Sequence, residues 1–269
     1  LFRTHVMINA VMKFIGGLFF FLVCVINSLS AYNLRQVTNS DGLTSSAVLS
    51  LLQDSNGFLW MGTCDGVNIY DGTKAYSWNG WGQLNLSGYI IEEILETHDG
   101  VIWVQTNYGL SKVDKEKRLV VDYPQFKGSY MMVKNELGNL FFFSSSNLLY
   151  AFNEKKQEFY RLPIGTLDRE DIVNLYVNEH YLIIFLKNEI IYYQMKHSPE
   201  GEYTLSTLNT SEKTEVRYGF GDKNQVYWLD KDYNLFGYSL DKPVKKLICN
   251  WKEALDGRGT IVDILRDGT

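Results

Sequence analysis

"DSNGFLWMGTCDGVNIYDG", residues 54–72, decides the architecture. Two short apolar runs, Phe58-Leu59-Trp60-Met61 and Val67-Asn68-Ile69-Tyr70, are set between Asn56-Gly57, Asp65-Gly66 and Asp71-Gly72. Asn-Gly and Asp-Gly accept positive φ at both central positions of a type I′ turn, which joins antiparallel strands without splaying them. Gly57 and Gly66 therefore read as turns. Strands are predicted over Val48–Gln53, residues 58–63, residues 67–70 and Ala75–Trp78. Four short strands in such a span make one small antiparallel sheet. A calcium loop starting at Asp54 would need a later bidentate glutamate at fixed spacing, which is missing.

The pattern recurs. Asp99-Gly100-Val101-Ile102-Trp103 repeats it, and weaker copies follow at Gly138-Asn139-Leu140-Phe141, Glu179-His180-Tyr181-Leu182-Ile183 and Asn224-Gln225-Val226-Tyr227. The anchors Trp60, Trp103, Phe141, Ile183 and Tyr227 are 43, 38, 42 and 44 residues apart, and each follows an alternating run. Four strands per unit at a period near forty specify β-propeller blades, whose sheets bury both faces only by stacking radially. The expected fold is all-β: five four-stranded antiparallel blades, and the start of a sixth at residues 261–269. The large second-strand side chain should pack between neighbouring blades.

Residues 1–31 are of another kind. Lys13 precedes the apolar stretch Phe14 to Ile26, then Asn27-Ser28-Leu29-Ser30-Ala31. This is the pattern of a helical signal peptide with cleavage near Ala31 or Tyr32; the stretch is short for a spanning helix. Met12 is a candidate start. The domain division is 1–31 for the signal peptide and 32–269 for the propeller. The segment holds two of the chain's 26 Lys and Arg and no acid, which leaves the remainder with 24 basic and 31 acidic side chains. That balance argues against non-specific binding to nucleic acid or anionic membrane. Cys64 and Cys249 lie far apart in the repeat frame and read as free, buried thiols. No metal-ligand spacing, phosphate loop or hydrolase motif is present, so neither metal nor cofactor is expected.

"NSDGLTSSAVLSLLQDSNGFLWMGTCDGVNIYDG", residues 39–72, resembles the first propeller repeat of the sensor region of bacterial hybrid two-component systems. Asp41-Gly42-Leu43, Asp54, Gly57, Leu59, Trp60, Gly62, Thr63, Asp65, Gly66, Asn68, Tyr70, Asp71 and Gly72 all fit. The second unit keeps Asp99, Gly100, Trp103, Thr106, Gly109 and Leu110 but has Gln105 in place of glycine; later units keep only the period. The resemblance implies a periplasmic sensor half of an inner-membrane protein, with kinase, receiver and DNA-binding parts outside this chain. It implies an oligosaccharide ligand, control of polysaccharide-utilisation genes, and self-association through other parts of the parent. Contact with a membrane would come only through the signal segment or a helix beyond this chain.

Enzyme chemistry finds little support in the residues. His98 and His180 fall at turns and His197 in a loop, while Glu92-Glu93 and Glu170-Asp171 read as solvated strand edges. For binding, the turns joining strands two and three share one face with the links between blades, and loops on rigid scaffolds carry recognition. That face should collect Asn107-Tyr108 and the link Trp78-Asn79-Gly80-Trp81. The ligand-binding candidates are Trp81, Trp78, Asn79, Asn107 and Tyr108: indoles stack on sugar C–H faces and amides take hydroxyls. Packing is the competing role for Trp78. The rival functions are a secreted propeller enzyme acting on polysaccharide and a protein-binding scaffold.

Overall fold

The computed structural model describes residues 36–78, 86–208 and 213–252. The chain divides into two compact units, Leu1–Val37 and Thr38–Thr269, and the strands among the described residues lie in the second. The expected signal helix and the start of a sixth blade lie outside the described residues, as do Asn79 and Trp81.

Among the described residues, twenty strands form five antiparallel sheets, each in simple up-and-down order. Blade one is β1 (Val48–Gln53), β2 (Leu59–Thr63), β3 (Gly66–Tyr70) and β4 (Ala75–Trp78). Blade two is β5 (Ile91–Glu96), β6 (Ile102–Thr106), β7 (Gly109–Asp114) and β8 (Leu119–Tyr123). Blade three is β9 (Tyr130–Lys134), β10 (Leu140–Phe143), β11 (Leu149–Asn153) and β12 (Glu158–Arg161). Blade four is β13 (Ile172–Val177), β14 (Tyr181–Leu186), β15 (Glu189–His197) and β16 (Tyr203–Thr207). Blade five is β17 (Tyr218–Asp222), β18 (Gln225–Leu229), β19 (Asn234–Ser239) and β20 (Val244–Asn250). The first strands of successive blades neighbour one another in the order β1, β5, β9, β13, β17. This is the expected radial stack.

Side chains alternate across each strand, so a blade can offer one apolar face to its predecessor and one to its successor, as the three inner blades do. Trp60 and Val67 meet Ile91, Ile94, Ile102 and Val104 of blade two. Trp103 and Leu110 meet Phe126, Met132 and Phe142 of blade three and its approach. Phe141 and Phe143 meet Ile172, Leu175 and Val177 of blade four. Ile183 and Phe185 meet Val216, Val226 and Trp228 at blade five. Truncating one such buried ring costs about 3–5 kcal/mol. The fifth anchor departs from the pattern. Tyr227 is only half-buried and stacks on Phe220 of its own blade, because no following blade meets it among the described residues. The neighbouring Trp228 is the buried ring there. Likewise Leu49, Leu51 and Phe58 of blade one, and Val244, Leu247 and Ile248 of β20, are exposed.

Gly62 shows why the motif places glycine after Trp-Met. A Cβ there would lie 2.6 Å from Cγ2 of Ile91 in blade two. Four of the five first strands share a defect that β17 lacks. An extra residue interrupts the ladder between Val48 and Ser50, between Ile91 and Glu93, and between Ile172 and Asn174, and an equivalent shift occurs in β9 beside Met131, at φ 56°. Such bulges bend a strand and re-aim side chains.

Several sequence expectations need correction. The turn at Asn56-Gly57 is not a two-residue type I′ turn: only Gly57 has positive φ, and the Asp54 carboxylate organises a wider loop. Gly66 likewise is the sole positive-φ residue of its turn. The alternating run expected as the first strand of blade five, Val216–Phe220, becomes strand only from Tyr218, because the Val216 amide donates instead to the Lys187 carbonyl of blade four at 2.8 Å. Cys64 and Cys249 are free, but Cys64 is exposed on a turn and Cys249 partly so on an outermost strand. His197 ends β15 opposite Tyr203 rather than lying in a loop. Glu93 is half-buried rather than solvated, and burial pushes its carboxyl up despite opposing hydrogen bonds from Ile94 and Ser50.

Candidate functional site

The propeller has two faces. The turn face carries the loops between first and second, and third and fourth, strands. The link face carries the second-to-third loops and the connections between blades.

On the turn face, the motif spacing from Asp54 to Trp60 has a structural explanation. Oδ1 of Asp54 accepts the backbone N–H groups of Asn56 and Phe58 at 3.0 and 2.9 Å. Its Oδ2 accepts Nε1 of Trp60 and Nζ of Lys115, each at 2.9 Å. Four donors saturate a carboxylate, which leaves no capacity for a calcium ion. Lys115, on the third-to-fourth loop of blade two, also donates to Oε1 of Glu96 at 2.8 Å. Glu96 in turn accepts the N–H and hydroxyl of Ser55 at 2.7 and 2.8 Å, and its carbonyl accepts from Lys134 of blade three. The group clasps three blades together. Burial works against the Asp54 charge, but bonds from Lys115, Trp60 and Phe58 outweigh it and hold the carboxyl below its ordinary value. Burial likewise opposes the Lys115 ammonium, and Glu96 and Asp54 hold it above the ordinary lysine value.

Trp78 belongs to this neighbourhood. At the end of β4 it pairs with Val67 of β3, directs its indole toward Trp60 with ring centres 5.8 Å apart, and packs at the seam of blades one and two. With Trp60, Phe58, Asp54 and Lys115 it lines a cleft of about 280 Å³.

Asn107 and Tyr108 sit elsewhere, on the link face. Asn107 ties its turn to the incoming link: its backbone N–H donates to the Ile90 carbonyl at 3.1 Å and its side-chain oxygen accepts the Ile90 N–H at 3.3 Å. Tyr108 is 43% exposed, its ring 6.3 Å from that of Tyr89, and the Lys127 ammonium lies 4.7 Å from its centre. The same motif of a cation over a tyrosine recurs around this face. Arg169 lies 4.3 Å from the centre of Tyr130 in blade three, and Arg217 lies 5.0 Å from that of Tyr233 in blade five. The sequence reading missed Lys127, Arg169, Lys187 and Arg217. Their signal was available: each flanks a link or a second-to-third turn, where the repeat frame places it on the face carrying Tyr108.

Among the described residues, no group of His, Cys, Asp and Glu is arranged to hold a metal ion. No described helix is long and apolar enough to cross a membrane. His98, His180 and His197 are exposed.

The profile of the two component regulator propeller family matches residues 42–65, within the first blade. The chain is similar in structure to virginiamycin B lyase from Staphylococcus aureus, with a TM-score of 0.52 at 10% identity over 80% of this chain and 73% of that one. It is also similar to the extracellular domain of a protein from B. thetaiotaomicron described as a hybrid two component system, with a TM-score of 0.51 at 16% identity over 81% of this chain. This chain spans 37% of that domain's length. The β-propeller domain of Cps50 from Myceliophteria thermophila gives a TM-score of 0.52 at 11% identity, over 74% of this chain and 72% of that one. At these identities the likeness shows the fold, a β-propeller, and nothing finer. No curated protein matches the chain.

Proposed function

We propose that this propeller is an exported ligand-sensing module of a two-component signalling protein, and that its ligand is an oligosaccharide. The observation that carries the reading is the two component regulator propeller match at residues 42–65. The likeness to the extracellular domain from B. thetaiotaomicron supports the same architecture in the same kind of protein. In this reading the chain is periplasmic and performs no chemistry. A membrane-bound parent supplies histidine kinase activity, self-association through its other parts, and control of polysaccharide-utilisation genes. The residues proposed to meet the sugar are Tyr108, with Tyr89 beside it, and Asn107 on the link face, and, from the sequence alone, Asn79 and Trp81. Trp78 joins them as a candidate through its cleft. Tyrosine and tryptophan rings suit sugar C–H faces and leave polar edges for hydroxyls.

Calorimetry of the chain against a glycan panel, with product analysis of the same mixtures, tests this. The expected result is binding without turnover. Cleavage of any glycan would favour the polysaccharide-acting enzyme instead, and absence of binding across the panel would contradict the sensing role.

A further inference from the structure

Blades four and five meet on the link face around an open cleft of about 400 Å³. Lys187 and Asn188 enter it from the turn between β14 and β15, Glu215 and Arg217 from the link into blade five, and Lys231 from the turn between β18 and β19. Val173, the bulged residue of β13, and buried Val216 give it apolar walls. The frame is fixed by backbone bonds: Val216 N–H to the Lys187 carbonyl at 2.8 Å, and Thr214 N–H to the Asn188 carbonyl at 3.2 Å.

Three cations and one carboxylate line this cleft, in a chain whose formal charge is -5. Glu215 is engaged by Lys231 at 2.9 Å. Lys187 and Arg217 have no carboxylate within ion-pairing distance among the described residues. Arg217 is not loose, however. Its Nη1 donates to the Tyr233 hydroxyl at 3.0 Å while the guanidinium lies over that ring. Holding the planar group by its neutral neighbour orients its remaining N–H donors without neutralising them. Such a fork matches a carboxylate or sulfate, and a preset side chain loses less entropy on binding. A local excess of positive charge on an acidic protein also steers anions to the cleft.

We infer that the cleft between blades four and five binds an acidic oligosaccharide, with Arg217 and Lys187 receiving its carboxylate or sulfate groups and Val173 and Val216 facing its sugar ring. The inference rests on the oligosaccharide-sensing reading above and adds the charge of the sugar and a second docking place, separate from Tyr108 and Asn107.

Calorimetry of the full chain at low salt, with tetragalacturonate, a heparin tetrasaccharide, maltotetraose and inorganic sulfate as probes, tests it. An acidic tetrasaccharide should bind, more weakly as sodium chloride is raised past the Debye screening range. Arg217→Ala and Lys187→Ala should each weaken it by about tenfold, the loss of one charge-assisted contact. Failure of both acidic sugars to bind, or binding that neither variant alters, overturns the inference. Maltotetraose binding that neither variant alters, with no acidic sugar bound, overturns this cleft while leaving oligosaccharide sensing standing. Sulfate binding with no sugar bound also overturns it, by reducing the cleft to a small-anion site.

Discussion

Lys115 on the turn face reaches two carboxylates, Asp54 at 2.9 Å and Glu96 at 2.8 Å, whereas Arg217 on the link face reaches none and rests on the ring of Tyr233. The contrast extends beyond these two residues. Lys117 with Asp114, and Lys156 with Glu202, are further pairs formed on the turn face. On the link face Lys127, Arg169 and Arg217 lie over tyrosines. On the turn face, Lys115 and Lys156 are committed to carboxylates of a neighbouring blade, while Lys117 pairs within its own turn. On the link face Lys231 is paired with Glu215, whereas Lys127, Arg169 and Arg217 are positioned by tyrosine rings and stay available to a ligand.

The largest expected effect is at the clasp. Asp54→Ala removes a loop cap and the indole partner and half of the Lys115 neutralisation at a side chain only 2% exposed. Breaking a buried ion pair in this way costs about 3 kcal/mol. Urea unfolding at pH 7 reads it directly. The pH dependence has a defined sign. Because the folded Asp54 carboxyl lies below its ordinary value, its contribution is present above the unfolded value near ~4 and is lost as pH falls through the folded one. Asp54→Asn should therefore flatten the acid limb of the stability profile. An unchanged acid limb would mean that the clasp contributes nothing.

A smaller effect separates two tryptophans at equivalent positions. Trp60 donates its indole N–H to Asp54, whereas Nε1 of Trp103 is buried without a partner. Trp60→Phe should cost about 1.5–3 kcal/mol more than the matched loss of ring volume in Trp103→Phe, because it removes a hydrogen bond to a charged group. Equal losses by thermal or urea unfolding would show that the clasp does not use the indole.

Much of this fold was legible in the residues. Glycine and aspartate punctuation marks the strands, and β1 and β4 fall where the alternation places them. The turn type at Gly57 was not legible, because it depends on one side chain, Asp54, binding backbone two and four residues away. The role of Trp78 was half legible: its pairing with Val67 sets it on the face that Trp60 shares, so it packs on its neighbour as well as lining a cleft. The link-face cleft was hidden for another reason. Lys187 stood at the edge of an alternating run and Arg217 at the start of a later one, thirty residues on. Only the packing of blade four on blade five brings them together, and local patterns carry no information on which neighbours lack a carboxylate.

The division of labour between the faces is tested most directly by unfolding Lys115→Met and Arg217→Ala side by side in urea at pH 7. Lys115→Met leaves Asp54 and Glu96 facing each other without a cation, and a loss of about 3 kcal/mol is expected. Arg217→Ala removes an exposed side chain with no carboxylate partner and should change stability by less than about 0.5 kcal/mol. Comparable losses in the two variants would contradict the account, since the link-face cation would then be holding the fold rather than awaiting a ligand.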